Sequence, residues 1–170
     1  MTPAALGRLA GYNKWANRRL YEACGRLDDA DYRAPRPSFF GSIHATLNHI
    51  LVGDRVWLGR LEGRPSGIKA LDEILYADLA ALGAARASED ERIERLVASI
   101  DAPALGQPFA YRSMAGQAMS FPLGEVLMHL FNHQTHHRGQ VHGLLSATKV
   151  APPSLDLILF LAESPTGPGS

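Results

Sequence analysis

Apolar residues recur at helical spacing through most of the chain. In the first segment Leu6, Leu9, Tyr12, Trp15, Ala16, Leu20 and Ala23 follow at steps that place them on one helix face. Thr2 suits the N-cap and Pro3 the first helical position. Residues 27–40, with Pro35, Pro37 and the polar run from Asp28 to Arg33, read as a connecting loop. A second helix is predicted from about Ser42 to Leu61, with Ile43, Leu47, Ile50, Trp57 and Leu61 as its stripe and Gly63 with Pro65 ending it.

A third helical region spans about 72–100. Ile74, Leu75, Leu79 and Leu82 carry its first part, and Ile93, Leu96, Val97 and Ile100 its second. Ser88 followed by Glu91 resembles a capping box, so one helix or two fit the pattern. Residues 107–120 break the helical period and read either as two short strands turning at Gly116 or as an extended loop. A fourth helix runs from near Pro122 to about Ala147. A short fifth covers about Ser154 to Glu163, set off by Pro152 and Pro153. The pattern predicts an all-α protein, a four-helix bundle in one domain over 1–163, with a frayed Pro/Gly/Ser-rich tail at 164–170.

Charge narrows the partners. Lys plus Arg and Asp plus Glu both number 17, a formal net charge of zero, which gives no basic surplus for nucleic acid or an anionic membrane. No basic leader precedes an apolar run, and no stretch of apolar residues is long enough to span a bilayer, so a cytoplasmic protein is predicted. Cys24 is the single cysteine, so a metal site here must use histidine and oxygen ligands.

The strongest chemical signal is histidine. Of seven, five (His129, His133, His136, His137 and His142) fall in the fourth helix. His133 and His137 are one turn apart, roughly 40° around the helix, and Val126, Leu130, Val141 and Leu144 lie within roughly 80° of His133. The pair therefore points toward the core, where two imidazoles need a metal or hydrogen-bond partners. Gln134 follows His133, so the H-E-x-x-H pattern of zincin proteases is absent. The third ligand must come from another helix. His49 is the candidate, mid-helix, with Gly53 one turn on leaving space beside its ring. A hydrogen-bonded core histidine is the competing reading. His44 and Asp54 each lie roughly 140° from His49 around that helix and cannot share its ion.

The segments IHATLNHILVGDRVWLGRLEG at 43–63 and VLMHLFNHQTHHRGQ at 126–140 resemble the second and last long helices of the DinB/YfiT-like family of proposed metalloenzymes. YNKWANRRLY at 12–21 and PPSLDLILFL at 152–161 fit it as well. The resemblance implies an up-down-down-up bundle, often a homodimer. It also implies one divalent metal ion held by His49, His133 and His137, with zinc or nickel favoured over iron or manganese. Some relatives are thiol-dependent transferases or isomerases, so the implied activity is a thiol-dependent S-transferase or related hydrolase acting with a low-molecular-weight thiol or other small molecule. A non-catalytic metal-binding or stress-response protein, and a dimeric bundle without metal, are the competing classes. No general base is identifiable. Around the pair, Gln140 orients a ligand or packs, His129, one turn before His133, packs or hydrogen-bonds to backbone or else supports the site, His136 sits at the stripe's edge, and Arg138 faces away toward a salt bridge or dimer contact. Tyr12 and Trp15 line a pocket or belong to the core.

Overall fold

The computed structural model of the protein describes residues 1–164. The tail predicted at 164–170 falls, apart from Ser164, outside them. The helices are α1 (Pro3–Cys24), α2 (Asp29–Arg33), α3 (Ile43–Leu61), α4 (Leu79–Ala98), α5 (Leu123–Leu145) and α6 (Leu157–Glu163), with a 3₁₀ turn at Pro103–Gly106. Two strands, β1 (Pro108–Arg112) and β2 (Ala118–Pro122), pair antiparallel with Tyr111 opposite Met119. The protein is thus mostly helical with a small two-stranded sheet, which corrects the all-α expectation. Of the two readings of 107–120, the strands are the one adopted, and Gly116 takes the left-handed turn position at φ 80°.

Side-chain caps set the helix starts. Thr2 Oγ1 accepts from the Ala5 N–H and Ser42 Oγ from the Ala45 N–H. The third long helix begins seven residues later than expected because Asp78 caps it, accepting from the Ala81 N–H at 2.8 Å. Residues 72–78 are instead pinned in non-helical form on α3. Tyr76 donates its N–H to Asn48 Oδ1 at 3.0 Å, and its carbonyl accepts from Asn48 Nδ2 at 3.1 Å. Ser88 lies inside α4 and starts no second helix. Asp28 caps the short α2, which the loop reading of 27–40 missed.

Each of the four long helices packs on two others around the circuit α1–α4–α3–α5. Two apolar clusters fill the interior. One holds Leu20, Leu47, Leu51, Leu82 and Val141, and the other Leu6, Leu58, Ile93, Leu127 and Phe131. Along α3 and α4 the first cluster precedes the second; along α1 and α5 the order is reversed. In all four helices, buried polar residues separate the two clusters. Asn13, Asn17, Asp54, Arg86, Asp90, Gln134 and Arg138 are each nearly inaccessible. Arg86 pairs with both Asp54 and Asp90, Gln134 donates to Asp54, and Asn13 and Asn17 donate to Asp90 at 3.0 and 2.9 Å. Arg138 donates to Asn13 Oδ1 and, at 3.3 Å, to Asn17 Oδ1 and Gln134 Oε1. Two guanidiniums and two carboxylates balance this layer, as burial of charge requires.

Arg138 therefore faces inward, contrary to the sequence reading. Helix α5 packs against both α1 and α3, so its buried arc is wider than one stripe. Tyr12 lies beneath the Arg138 guanidinium at 5.3 Å, and Tyr12 and Trp15 anchor α6 through Phe160 and through hydrogen bonds to the Leu155 carbonyl and Glu163. No helix among the described residues is long and apolar enough to cross a membrane.

Candidate metal centre

Helix α3 brings His49, and α5 brings His133 and His137, to one side of the α3–α5 contact. His49 Nε2 lies 3.2 Å from His133 Nε2 and 3.1 Å from His137 Nε2. Among the described residues these three form the cluster whose ligand atoms lie within 4.8 Å of one another. Nitrogens bound at about 2.1 Å to one ion stand about 3.0 Å apart at right angles and about 3.4 Å apart in a tetrahedron. The two measured separations fall between those values.

The outer ring nitrogens set the chemistry of the inner ones. His49 Nδ1 is 2.7 Å from the Leu71 carbonyl, which accepts only, so that nitrogen carries the proton. His137 Nδ1 lies 2.8 Å from Gln140 Oε1 and likewise donates. Both Nε2 atoms then present lone pairs toward each other, an arrangement that repels unless a metal ion, an added proton or the Nε2–H of a neutral His133 lies among them. A proton is a poor occupant. Burial, followed by the neighbouring imidazoles, pushes the His133 pKa down to about 3. Burial chiefly holds His137 at about 4 and also lowers His49. Three neutral imidazoles with converging Nε2 atoms, two of them turned inward by carbonyl-oriented outer nitrogens, are a donor set that could hold a divalent transition metal.

Packing completes the orientation. His133 Nδ1 is buried without a hydrogen-bond partner among the described residues, so its ring is held by contact. That contact is Gly53, where a Cβ would stand 2.6 Å from His133 Cε1. The space that Gly53 leaves thus belongs to His133, and not to the His49 ring as the sequence suggested. Phe40 stacks on His49, with centroids 3.9 Å apart and planes at 22°, and stands edge-on to His137. Neither Phe40 nor the Leu71 carbonyl was identified from sequence, because each lies in a loop without periodicity. The FF pair at 39–40 was the one available signal. Gln140 does orient a ring, as one of its two readings held.

One flank opens into a cleft of about 600 Å³ lined by Phe39, Phe40, Leu71, Asp72, His136 and Gln140 beside the three histidines. His44 is elsewhere, its Nε2 3.0 Å from the Tyr76 carbonyl. His129 packs on Trp57 at 5.0 Å, one turn from His133. Asp54 belongs to the polar layer, where burial pushes its carboxyl up and Arg86 pulls it down.

The DinB family profile matches residues 1–167. The chain is also similar to the protein named "Protein DinB" from Bacillus subtilis (strain 168), at 27% identity over 169 residues, covering 92% of this chain and 95% of that one. A match that runs through all four long helices, and so takes in both helices of the histidine cluster, means that the chain belongs to the DinB family.

Proposed function

We propose that the protein is a divalent-metal-dependent enzyme in which His49, His133 and His137 hold one ion, zinc or nickel first, and that it is a thiol-dependent S-transferase or related hydrolase. The observation carrying this reading is the convergence of three Nε2 atoms at the wall of an open cleft. A divalent ion held by three side chains keeps free coordination positions, at which it lowers the pKa of a bound thiol or water.

The chain's own residues then have distinct tasks. The Leu71 carbonyl and Gln140 fix the tautomers of His49 and His137. Phe40 shields the His49 ring from water. Phe39, Phe40 and Leu71 offer an apolar wall for the body of an acceptor, and Asp72 and His136 supply polar groups in the same cleft. No general base is assigned.

In this reading residues 1–163 form one up-down-down-up four-helix bundle, supported by the opposite order of the two apolar clusters in α1 and α5 against α3 and α4. A homodimer is proposed as well. Leu157 and Ile158 on α6, 40% and 70% exposed, supply apolar surface for it.

The test is optical. Protein loaded with Co²⁺ is titrated with 2-mercaptoethanol. A saturable sulfur-to-cobalt charge-transfer band, missing from His137→Ala, supports thiol access to the site. Cobalt bound by the parent without any such band would favour the second reading, a non-catalytic metal-binding protein whose remaining positions are closed.

A further inference from the structure

A second space, about 560 Å³, opens at the far end of α3, and no residue lines both it and the metal cleft. One wall is the loop that follows α3. Gly59 lets that loop fold back onto the helix, since a Cβ there would stand 2.6 Å from the Arg64 carbonyl oxygen and 3.2 Å from the Ser66 nitrogen. Gly63 and Gly67 turn the loop in the left-handed region, at φ 67° and 75°. The other wall is the tip of the β1–β2 hairpin, with Arg112 and Ser113.

Three basic side chains share this space without an ion pair among the described residues. Arg60, Lys69 and Arg112 all line the space, and no carboxylate does. The chain as a whole is neutral, and nine of its other basic side chains form ion pairs. These three form none among the described residues. Arg60 is half-buried, its guanidinium stacked 4.6 Å over Trp57 and 5.0 Å over Tyr111. Arg112 donates to the Gly116 carbonyl at 2.9 Å, which orients the fork without neutralising it. Two acids close in sequence have partners of their own. Glu62 binds Arg92 at 2.8 Å, and Glu73 accepts from the backbone N–H groups of Lys69 and Ala70.

We propose that this space is a binding site for the phosphate group of a small phosphorylated molecule, gripped by Arg60, Arg112 and Lys69. Two planar guanidinium forks match phosphate oxygens in pairs, and the lysine adds a point charge to balance a dianion. The Ser66 and Ser113 hydroxyls line the same space as further donors. Its volume lies within the range of small-ligand pockets and leaves room beside a phosphate for an organic group. A local open groove on a neutral chain does not offer the extended basic stripe that a nucleic-acid backbone needs. The site is independent of the metal reading.

The test is isothermal titration of the purified protein with glycerol phosphate at low salt, with succinate as a dicarboxylate comparator and a parallel titration after EDTA treatment. The expected result is saturable binding, the same before and after EDTA, weaker for succinate, and weakened by about five-fold in each of Arg112→Gln and Lys69→Gln, both exposed positions. Arg60→Gln, checked for folding by far-UV circular dichroism, should weaken it further. No saturable binding, binding abolished by EDTA, tighter binding of succinate, or affinity unmoved by both exposed substitutions would each overturn the proposal.

Discussion

Gly53→Ala isolates the contact that positions His133. The added methyl would sit 2.6 Å from His133 Cε1 and 3.3 Å from its Nδ1. Carbon atoms in ordinary contact stand about 3.5–4.0 Å apart, so the ring must withdraw by roughly 1 Å. Nε2 is bonded to Cε1 and moves with it, whereas metal–ligand distances tolerate only about 0.2 Å. The backbones cannot spread instead, because buried Leu51 and Leu58 on α3, and Leu127 and Val141 on α5, pack on either side of this level. The half-buried ring has one way out, into the cleft, and taking it withdraws one of three nitrogens. Changing a group that only orients a ligand costs about 10–100-fold in metal affinity, so losing a ligand should cost at least about 100-fold. The substitution also favours the helix by about 0.8–1.0 kcal/mol, since alanine replaces glycine in its interior. Metal-free stability should therefore hold while affinity collapses. Competition with a chromophoric chelator measures the affinity, and urea unfolding of the metal-free protein measures the stability. A Gly53→Ala protein that binds zinc within about two-fold of the parent would refute the reasoning.

Gln140→Leu removes the acceptor of His137 Nδ1–H while keeping the bulk, and should weaken metal binding by about 10–100-fold with little change in fold, read by the same competition assay. Arg86→Met leaves Asp54 and Asp90 buried without their shared cation and should cost about 3–5 kcal/mol in urea unfolding; a cost below about 1 kcal/mol would show that the polar layer contributes little. The histidine pKa shifts predict a pH dependence for the metal-free protein. His133 and His137 are held at about 3 and about 4, below their unfolded value of about 6.5. Above that value neither state is protonated and their contribution is complete. As pH falls below it the unfolded chain takes up protons first, so stability is lost from about pH 6.5 down to about pH 4 for His137 and about pH 3 for His133. A His133→Gln, His137→Gln variant should lose less stability than the parent between pH 7 and pH 5, a comparison in which the Asp54 contribution cancels. Equal losses in the two proteins would contradict the shifts.

The long helices and the His133–His137 pair were readable in the sequence because both depend on local period, whereas His49 rested on its mid-helix place and on the family resemblance. His133 and His137 share a face by their spacing alone, and Ser42 and Thr2 announce their helices as caps. The parts that were not readable depend on tertiary docking. Phe40 and the Leu71 carbonyl reach the rings from loops, and nothing in their neighbours' spacing reports that. The start of α4 was misplaced because Ile74 and Leu75 continue its apolar period; Asp78 and the bonds from Asn48 to Tyr76 decide otherwise. Ile74 is exposed there and Leu75 packs on the first cluster from a non-helical segment. The polar layer was hidden for the opposite reason. No apolar period marks Asn13, Asn17, Asp54, Arg86, Asp90 or Arg138 as interior, and only their convergence from four helices makes burial affordable. The same convergence placed Arg138 inside.

Elemental analysis of the untagged protein, beside a His133→Ala, His137→Ala variant shown to be folded, tests the central claim most directly. The account predicts about one equivalent of a divalent metal per chain in the parent, or after exposure to zinc or nickel, and none above background in the variant. A parent that takes up no metal under those conditions, or a variant that keeps it, would contradict the assignment of His49, His133 and His137 as its ligands.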